Sequence, residues 1–360
     1  MGQKTPHSML EKLPPKTEKV ETIQILRQTT KAASALAELK GIAKTIPNQL
    51  MLVNAIVLQE AKDSSEIENI ITTQDELYKA IAIDKSTMSA ATKEVVNYRK
   101  AIFLGFNLVE KQGFLTINDI VSIQQELVGN TAGIRNMPGT VLKNNNTGEV
   151  VYTPPQDMAE ILGLLTNFII HYNENEHKLS PLISLAIYHY QFESIHPFYD
   201  GNGRTGRILN ILYLIMNKLI EIPILYLSSY IIENKPEYYR LLNQTNKTGE
   251  WEDWILFMLK AVESTALRTI KKISSIRQLL DKTIANVQQH APKIYRKELV
   301  ELIFEQPYAK IDFVVNQLQV ERKAASRYLK ELEKIGILKS QKVGRETLYI
   351  NKELIEILKL

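Results

Sequence analysis

The chain has 360 residues, with 44 Lys and Arg against 40 Asp and Glu, a formal net charge of +4. Hydrophobic residues make up 44% and charged residues 23%, which is ordinary for a soluble globular chain, and the length favours two or three domains. There is no cysteine, so disulfides, thiolate metal sites and a cysteine nucleophile are excluded.

Residues 1–19 are polar and carry Pro6, Pro14 and Pro15, which predicts an extended arm. No secretory apolar region follows Met1, and Pro6 stands where a myristoylation pattern needs Ser or Thr. From Val20 to about Leu127 the apolar spacing is helical, with breaks predicted at Gly41, near Pro47, around 84–89 and at Gly113. One polar run, Glu60-Ala-Lys-Asp-Ser-Ser-Glu-Ile-Glu-Asn69, interrupts this stretch; taken alone it reads as a solvated helix end capped by Asn69. Residues 130–156 change character. Two β-prone runs flank Asn144-Asn-Asn-Thr-Gly148, which predicts a hairpin over 139–154.

Helices resume from Asp157 through Asn217, one of them started by Pro181. The region 208–227 is the most apolar, but Asn210, Asn217, Lys218, Glu221 and Pro223 interrupt it. No membrane span is expected, and a cytoplasmic location is. An extended piece over 222–227 precedes helices reaching about Gln289, and His290-Ala-Pro292 is the expected domain boundary. Beyond it the pattern predicts helices over 294–305, 309–317 and 321–335, a stop at Gly336, and strands at 337–340 and 346–350 around Gly344. That order resembles a winged helix-turn-helix. Residues 291–360 hold 14 Lys and Arg against 10 Asp and Glu, so the whole net charge lies in this tail.

The chemistry concentrates in His196-Pro197-Phe198-Tyr199-Asp200-Gly201-Asn202-Gly203-Arg204-Thr205-Gly206-Arg207. Glycines let backbone N–H groups approach phosphate oxygens, and arginines are planar forks suited to them. The helical pattern after Arg207 would deliver an anion to a helix N-terminus. Gly201-x-Gly203-x-x-Gly206 also fits a dinucleotide fingerprint, but the preceding 181–195 is helical where that motif demands a strand. The kinase signatures that should accompany a kinase glycine loop are missing.

This stretch resembles the Fic family signature His-Pro-Phe-x-Asp-Gly-Asn-Gly-Arg-x-Gly-Arg and matches every fixed position. Most of that family transfers AMP from ATP to a hydroxyl side chain of a target protein, using Mg²⁺. The resemblance implies His196 as general base, Asp200 as Mg²⁺ ligand, and Gly201, Asn202, Gly203 and Arg204 as an anion hole. Arg207 would meet the γ-phosphate. Imidazole titrates near neutrality, which suits proton abstraction, and Mg²⁺ needs only one carboxylate beside phosphates and water. Tyr238, Tyr239 and Asn246 stand where the family contacts adenine and ribose; the plainer reading of the two tyrosines is core packing.

Beside that signature, Ser64-x-x-x-Glu68-Asn69 resembles the family's inhibitory motif. The resemblance implies a class II protein in which Glu68 salt-bridges Arg207, occupies the γ-phosphate's place and takes part in the ATP site. The hairpin occupies the position of the family's flap, implying that Thr140, Val141 and Leu142, or the facing Val150, Val151 and Tyr152, align a target segment by strand addition. The resemblance spans about residues 20–290.

The expected fold is mainly α: a Fic-type helical bundle with a small β-hairpin flap and a C-terminal winged helix. Its expected parts are an N-terminal helical region, 1–110, a catalytic core, 111–289, and the winged helix, 290–360. The expected function is a Mg²⁺-dependent protein adenylyltransferase acting on Ser, Thr or Tyr of a target protein and releasing pyrophosphate. Removal of AMP by the same site, with Glu68 orienting water, and a nucleotide-sensing DNA-binding regulator are the alternatives. Self-modification, pairing as a homodimer, and a DNA or protein partner for the winged helix stay open.

Overall fold

The computed structural model describes residues 10–83, 88–143, 148–174 and 179–359. The predicted arm falls partly outside these residues, in 1–9, and so do residues 144–147 of the predicted hairpin turn. The rest of the arm is anchored, not loose. Leu13 is buried, and its backbone N–H donates to Asn167 Oδ1 at 2.7 Å.

A short helix α1 (Thr17–Val20) leads to α2 (Ile23–Ala43), α3 (Gln49–Ile67), α4 (Gln74–Ala82), α5 (Ala90–Gln112) and α6 (Ile117–Val128). Local chemistry sets these boundaries. Thr22, Asn48 and Ser89 accept first-turn N–H groups, and Thr73 with Glu76 and Thr116 with Asp119 form capping boxes. Gly113 and Gly129 close α5 and α6 at positive φ, where a Cβ would be strained. Gly41 does not break α2 as predicted. It is an internal glycine whose cost is offset by the buried face packed on α12, and the break comes instead before Pro47.

The hairpin forms between β1 (Leu142–Lys143) and β2 (Val150–Tyr152), antiparallel, with Leu142 opposite Tyr152. Helices α7 (Met158–Asn173), α8 (Pro181–Ile195) and α9 (Asn202–Met216) follow. Every residue of α8 from Leu182 to Ile195 is buried, so α8 is a central helix and not a surface one. After α10 (Ser228–Glu233) and α11 (Lys235–Thr248) comes α12 (Glu252–His290), whose 39 residues run about 58 Å. It packs along α2 and against α8, and these helices carry the core.

A 3-10 turn at Pro292–Ile294 follows α12, and α13 (Lys297–Glu305) begins three residues later than the apolar spacing predicted. Pro292 limits the local conformation, and Arg296 takes the extended N-cap geometry. Strand β3 (Tyr308–Ala309) replaces the predicted start of the next helix, α14 (Ile311–Leu318). Helix α15 (Arg322–Lys334) then leads through Gly336, at φ 80°, to β4 (Lys339–Val343) and β5 (Glu346–Ile350). The antiparallel sheet has the order β3-β5-β4, and a last helix, α16 (Lys352–Lys359), packs back on α12. The whole is a mainly α-helical bundle with a small hairpin and a winged-helix tail. Among the described residues no helix is long and apolar enough to cross a membrane.

Candidate active site

The loop between α8 and α9 holds the signature residues. His196 ends α8 in the left-handed region, at φ 47°, an uncommon conformation for a side chain with a Cβ. Its surroundings explain how this is held. Arg135, fully buried, donates from Nε to the His196 carbonyl at 2.7 Å and from Nη2 to the carbonyls of Ile195 and Pro155. Its own N–H donates to the Pro197 carbonyl at 2.9 Å, beside a bridge between Ile134 and Phe198. Burial, and then the Arg135 charge, push the His196 pKa down to about 4. The imidazole is therefore neutral at neutral pH. Its Nδ1 is buried.

Asn202 spends its side chain on the loop itself. Its Oδ1 accepts from the Phe198 N–H and its Nδ2 donates to the Phe198 carbonyl, both at 2.8 Å. Asp200 projects outward with its side chain 68% exposed. Its Oδ1 accepts from the Gly201 N–H at 2.6 Å and lies 3.4 Å from Arg204 Nη2, which leaves Oδ2 facing solvent. Arg204 is buried and turns toward α5, where Nη1 donates to Glu94 at 2.8 Å. Gly201, at φ 78°, is the N-cap of α9. The first-turn N–H groups of that helix lack intrahelical acceptors and carry its positive dipole end.

The carboxylate of Glu68 sits over this first turn. Oε1 accepts from Arg207 Nη2 at 2.8 Å, and a methyl group built on Gly203 would collide with it and reach Arg207 Nη1 at 3.0 Å. A side chain at 203 would push the Glu68 carboxylate away from the helix backbone. Arg207 is buried and also donates to Ser64, from Nε to Oγ at 2.8 Å and from Nη2 to the carbonyl at 2.9 Å. Burial would raise the Glu68 pKa, but the Arg207 charge and hydrogen bond outweigh it and hold the carboxyl below its usual range. Asn69, at φ 63°, closes the α3 end and accepts from Lys235 Nζ at 3.3 Å.

The two tyrosines separate. Tyr238 is buried and its hydroxyl pairs with His189 Nε2 at 2.8 Å, so its ring belongs to the core. Tyr239 is 42% exposed and packs edge-on against Tyr238, 5.1 Å between centroids. Asn246 Oδ1 accepts from Tyr190 and Ser194, at 2.7 and 3.2 Å. In the hairpin, Thr140 is braced through its carbonyl by Gln156 at 2.9 Å, while Val141 is exposed.

Sequence reading missed four residues. Arg135 braces the loop, and Glu94 takes Arg204. Glu193 is buried behind Gly206, and burial raises its pKa to about 7. A methyl group on Gly206 would come within 2.5 Å of Glu193 Oε1. Glu60 lies two turns before Glu68 on α3. The one available signal was charge inside apolar runs, as at Glu193 and Glu60. Among the described residues no group of three or more His, Cys, Asp or Glu could hold a metal by itself. A solvent-facing carboxylate such as Asp200 still suits Mg²⁺ that takes its other ligands from phosphates and water.

Three successive segments match family models: residues 26–107 the Fic/DOC family N-terminal model, 114–214 the Fic/DOC family model, and 279–354 the C-terminal domain of SoFic-like protein adenylyltransferases. The protein adenylyltransferase Fic of Nematostella vectensis is 24% identical over 194 residues, covering 51% of this chain and 42% of that protein. The protein adenylyltransferase fic-1 of Caenorhabditis briggsae is 28% identical over 180 residues, covering 49% and 33%. The matched region therefore spans well under half the length of these relatives. A Fic family protein from Desulfovibrio desulfuricans superposes over 94% of this chain and 98% of its own, with a TM-score of 0.58 at 18% identity. Fic-1 from C. elegans does so over 67% and 71%, with a TM-score of 0.53 at 20% identity. Two of the three matched segments carry Fic/DOC family models, and the fold is that of the Fic family protein from Desulfovibrio desulfuricans.

Proposed function

We propose that this chain is a protein adenylyltransferase that moves AMP from ATP to a hydroxyl side chain and holds itself in check with Glu68. The observation that carries the reading is an internal carboxylate clamped by Arg207 on the first turn of α9, beside a neutral imidazole at the head of the same loop. The residues that accommodate this carboxylate are those an anionic phosphate oxygen needs: a glycine, a helix N-terminus and a guanidinium.

In this reading His196 accepts the proton of the target hydroxyl as its oxygen attacks the α-phosphorus. The new P–O bond forms as the bond to the bridging oxygen breaks, and pyrophosphate leaves with that electron pair. Arg207, released from Glu68, meets the γ-phosphate, and the α9 amides at 202–204 face the remaining phosphate charge. Placement and charge neutralisation supply most of the acceleration in such transfers. Asp200 would hold Mg²⁺, which supplies charge neutralisation on the phosphates when bound. The nucleoside would lie toward the exposed Tyr239, since the Tyr238 ring is buried. A target segment would add along Thr140, Val141 and Leu142. With Glu68 in place ATP is kept from its productive pose, which is the class II arrangement.

His196→Ala tests the catalytic half. Loss of a general base typically costs about 10²–10⁴ in rate, while ATP binding should persist. Near-normal transfer of label from ATP labelled at the α-phosphate by this variant would remove His196 from the mechanism.

A second activity has its own supporting observation. The tail packs on the bundle through α13, β3 and α16, while Arg322, Lys323, Arg327 and Lys330 of α15 and Lys342 and Arg345 of the β4–β5 hairpin are exposed. A basic helix beside a basic wing fits the groove and backbone of duplex DNA. Anisotropy of a labelled duplex should show binding that weakens steeply with salt and is lost in the variant Lys323→Glu/Arg327→Glu. Equal affinity of that variant, or no binding at low salt, would contradict this activity and point to a protein partner.

A further inference from the structure

Glu60 is the acid that this mechanism leaves unused. It is 2% exposed, so it touches neither solvent nor a nucleotide, and such a charge is costly to bury without donors. Three donors surround it. Tyr98 of α5 donates to Oε1 at 3.0 Å, Ser228 Oγ to Oε1 at 2.5 Å, and the Ser228 N–H to Oε2 at 3.1 Å. Ser228 is the first residue of α10, and both partners are fully buried.

The spacing gives this cluster its meaning. Glu60, Ser64 and Glu68 follow each other at intervals of four, so they share one face of α3, with about 12 Å from first to last. Ser64 and Glu68 grip Arg207 on α9, and Glu60 grips α5 and the start of α10. Beyond Glu68, Asn69 is held by Lys235 at the start of α11. The segment is thus fixed on both sides of the Glu68–Arg207 contact. The Glu60 contacts are directional, so they add to the packing of α3 a constraint on its rotation.

We propose that Glu60 is the positioning residue of the brake: by gripping Tyr98 and Ser228 it sets the rotation of α3 that delivers Glu68 to Arg207. This rests on the reading of Glu68 as a brake. It predicts that the brake loosens when this grip is cut, although Glu68 and Arg207 themselves are unchanged.

The test is incorporation of labelled AMP by Tyr98→Phe/Ser228→Ala, which removes two hydroxyls and leaves the carboxylate and the packing almost intact. Glu60→Ala and the conservative Glu60→Gln are measured beside it, with thermal unfolding as the check on folding. The hydroxyl double variant should label about fivefold or more above wild type, within the usual range of coupling between sites. Glu60→Gln should fall between wild type and Glu60→Ala. In a Glu68→Gly background none of these changes should add to the gain. Wild-type labelling by folded Tyr98→Phe/Ser228→Ala while Glu68→Gly is activated would overturn the proposal and leave the brake intact. An undiminished further gain in the Glu68→Gly background would overturn it too. A Glu68→Gly that shows no activation fails the brake itself, and the role of Glu60 falls with it.

Discussion

Glu68 Oε1 and Arg207 Nη2 lie 2.8 Å apart, although 139 positions separate them in the chain. Arg207 is buried beneath this contact, and Ser64 accepts two further hydrogen bonds from it on the same helix. Burial lowers a guanidinium pKa, but Glu68 first, with Tyr238, Tyr98 and Glu193 around it, more than reverses this, and Arg207 is held above its ordinary range. The pair is one unit: a charge on either side of it is expensive to leave alone.

The first prediction concerns protonation. His196 is pushed down to about 4 by burial and by Arg135, so its neutral form persists well below the ordinary imidazole range. Base-dependent transfer is therefore lost only as pH falls through about 4, not through 6.5. Removing Glu68 deletes a charge that raises this pKa, so Glu68→Gly should not move the loss upward. Following the His196 ring carbons by NMR through a pH titration checks this directly; an inflection near 6.5 would contradict the burial argument.

The second concerns Arg135, whose guanidinium braces the carbonyls of His196, Ile195 and Pro155. Arg135→Ala should cost about 3 kcal/mol or more in urea unfolding, since hydrogen bonds to a charged group are worth roughly 1.5–3 kcal/mol each. Transfer should fall as well, because His196 loses the clamp on its left-handed conformation. Unchanged stability and unchanged transfer would show that the loop holds itself.

Asp200 supplies the third. Its carboxylate is exposed and half free, so Asp200→Ala should leave folding within about 0.5 kcal/mol of wild type, as surface changes do. Transfer should be lost even at high ATP, and the steep response to added Mg²⁺ should go with it. A variant that keeps the Mg²⁺ response of wild type would place the cation elsewhere.

How much of this was legible in the sequence follows from which contacts are local. The loop 196–207 is contiguous, so its glycines, acid and arginines can be read together in one line of text as a candidate phosphate site. The helical order and the tail were legible from apolar spacing and from Gly336. Strand β3 was not, because Tyr308 and Ala309 become a strand only through pairing with Ile350 and Tyr349, some forty residues later. Arg135 was equally silent, and Glu60 showed only as a charge inside an apolar run: each acts on partners that only tertiary packing brings near. Tyr238 and Tyr239 are neighbours in sequence, but the turn between successive helical residues sends one ring into the core and the other outward.

The account's central claim is tested most directly by incorporation of labelled AMP into wild type, Glu68→Gly and Glu68→Gly/Arg207→Ala under saturating Mg²⁺. Cutting an ion pair usually harms a protein, so a gain is hard to attribute to general damage. Glu68→Gly should label at least about tenfold above wild type, a change on the scale of typical coupling free energies. The double variant should lose that gain, since the freed guanidinium is what the γ-phosphate needs. Equal labelling by wild type and Glu68→Gly would contradict the account and reduce Ser64–Asn69 to a plain helix end.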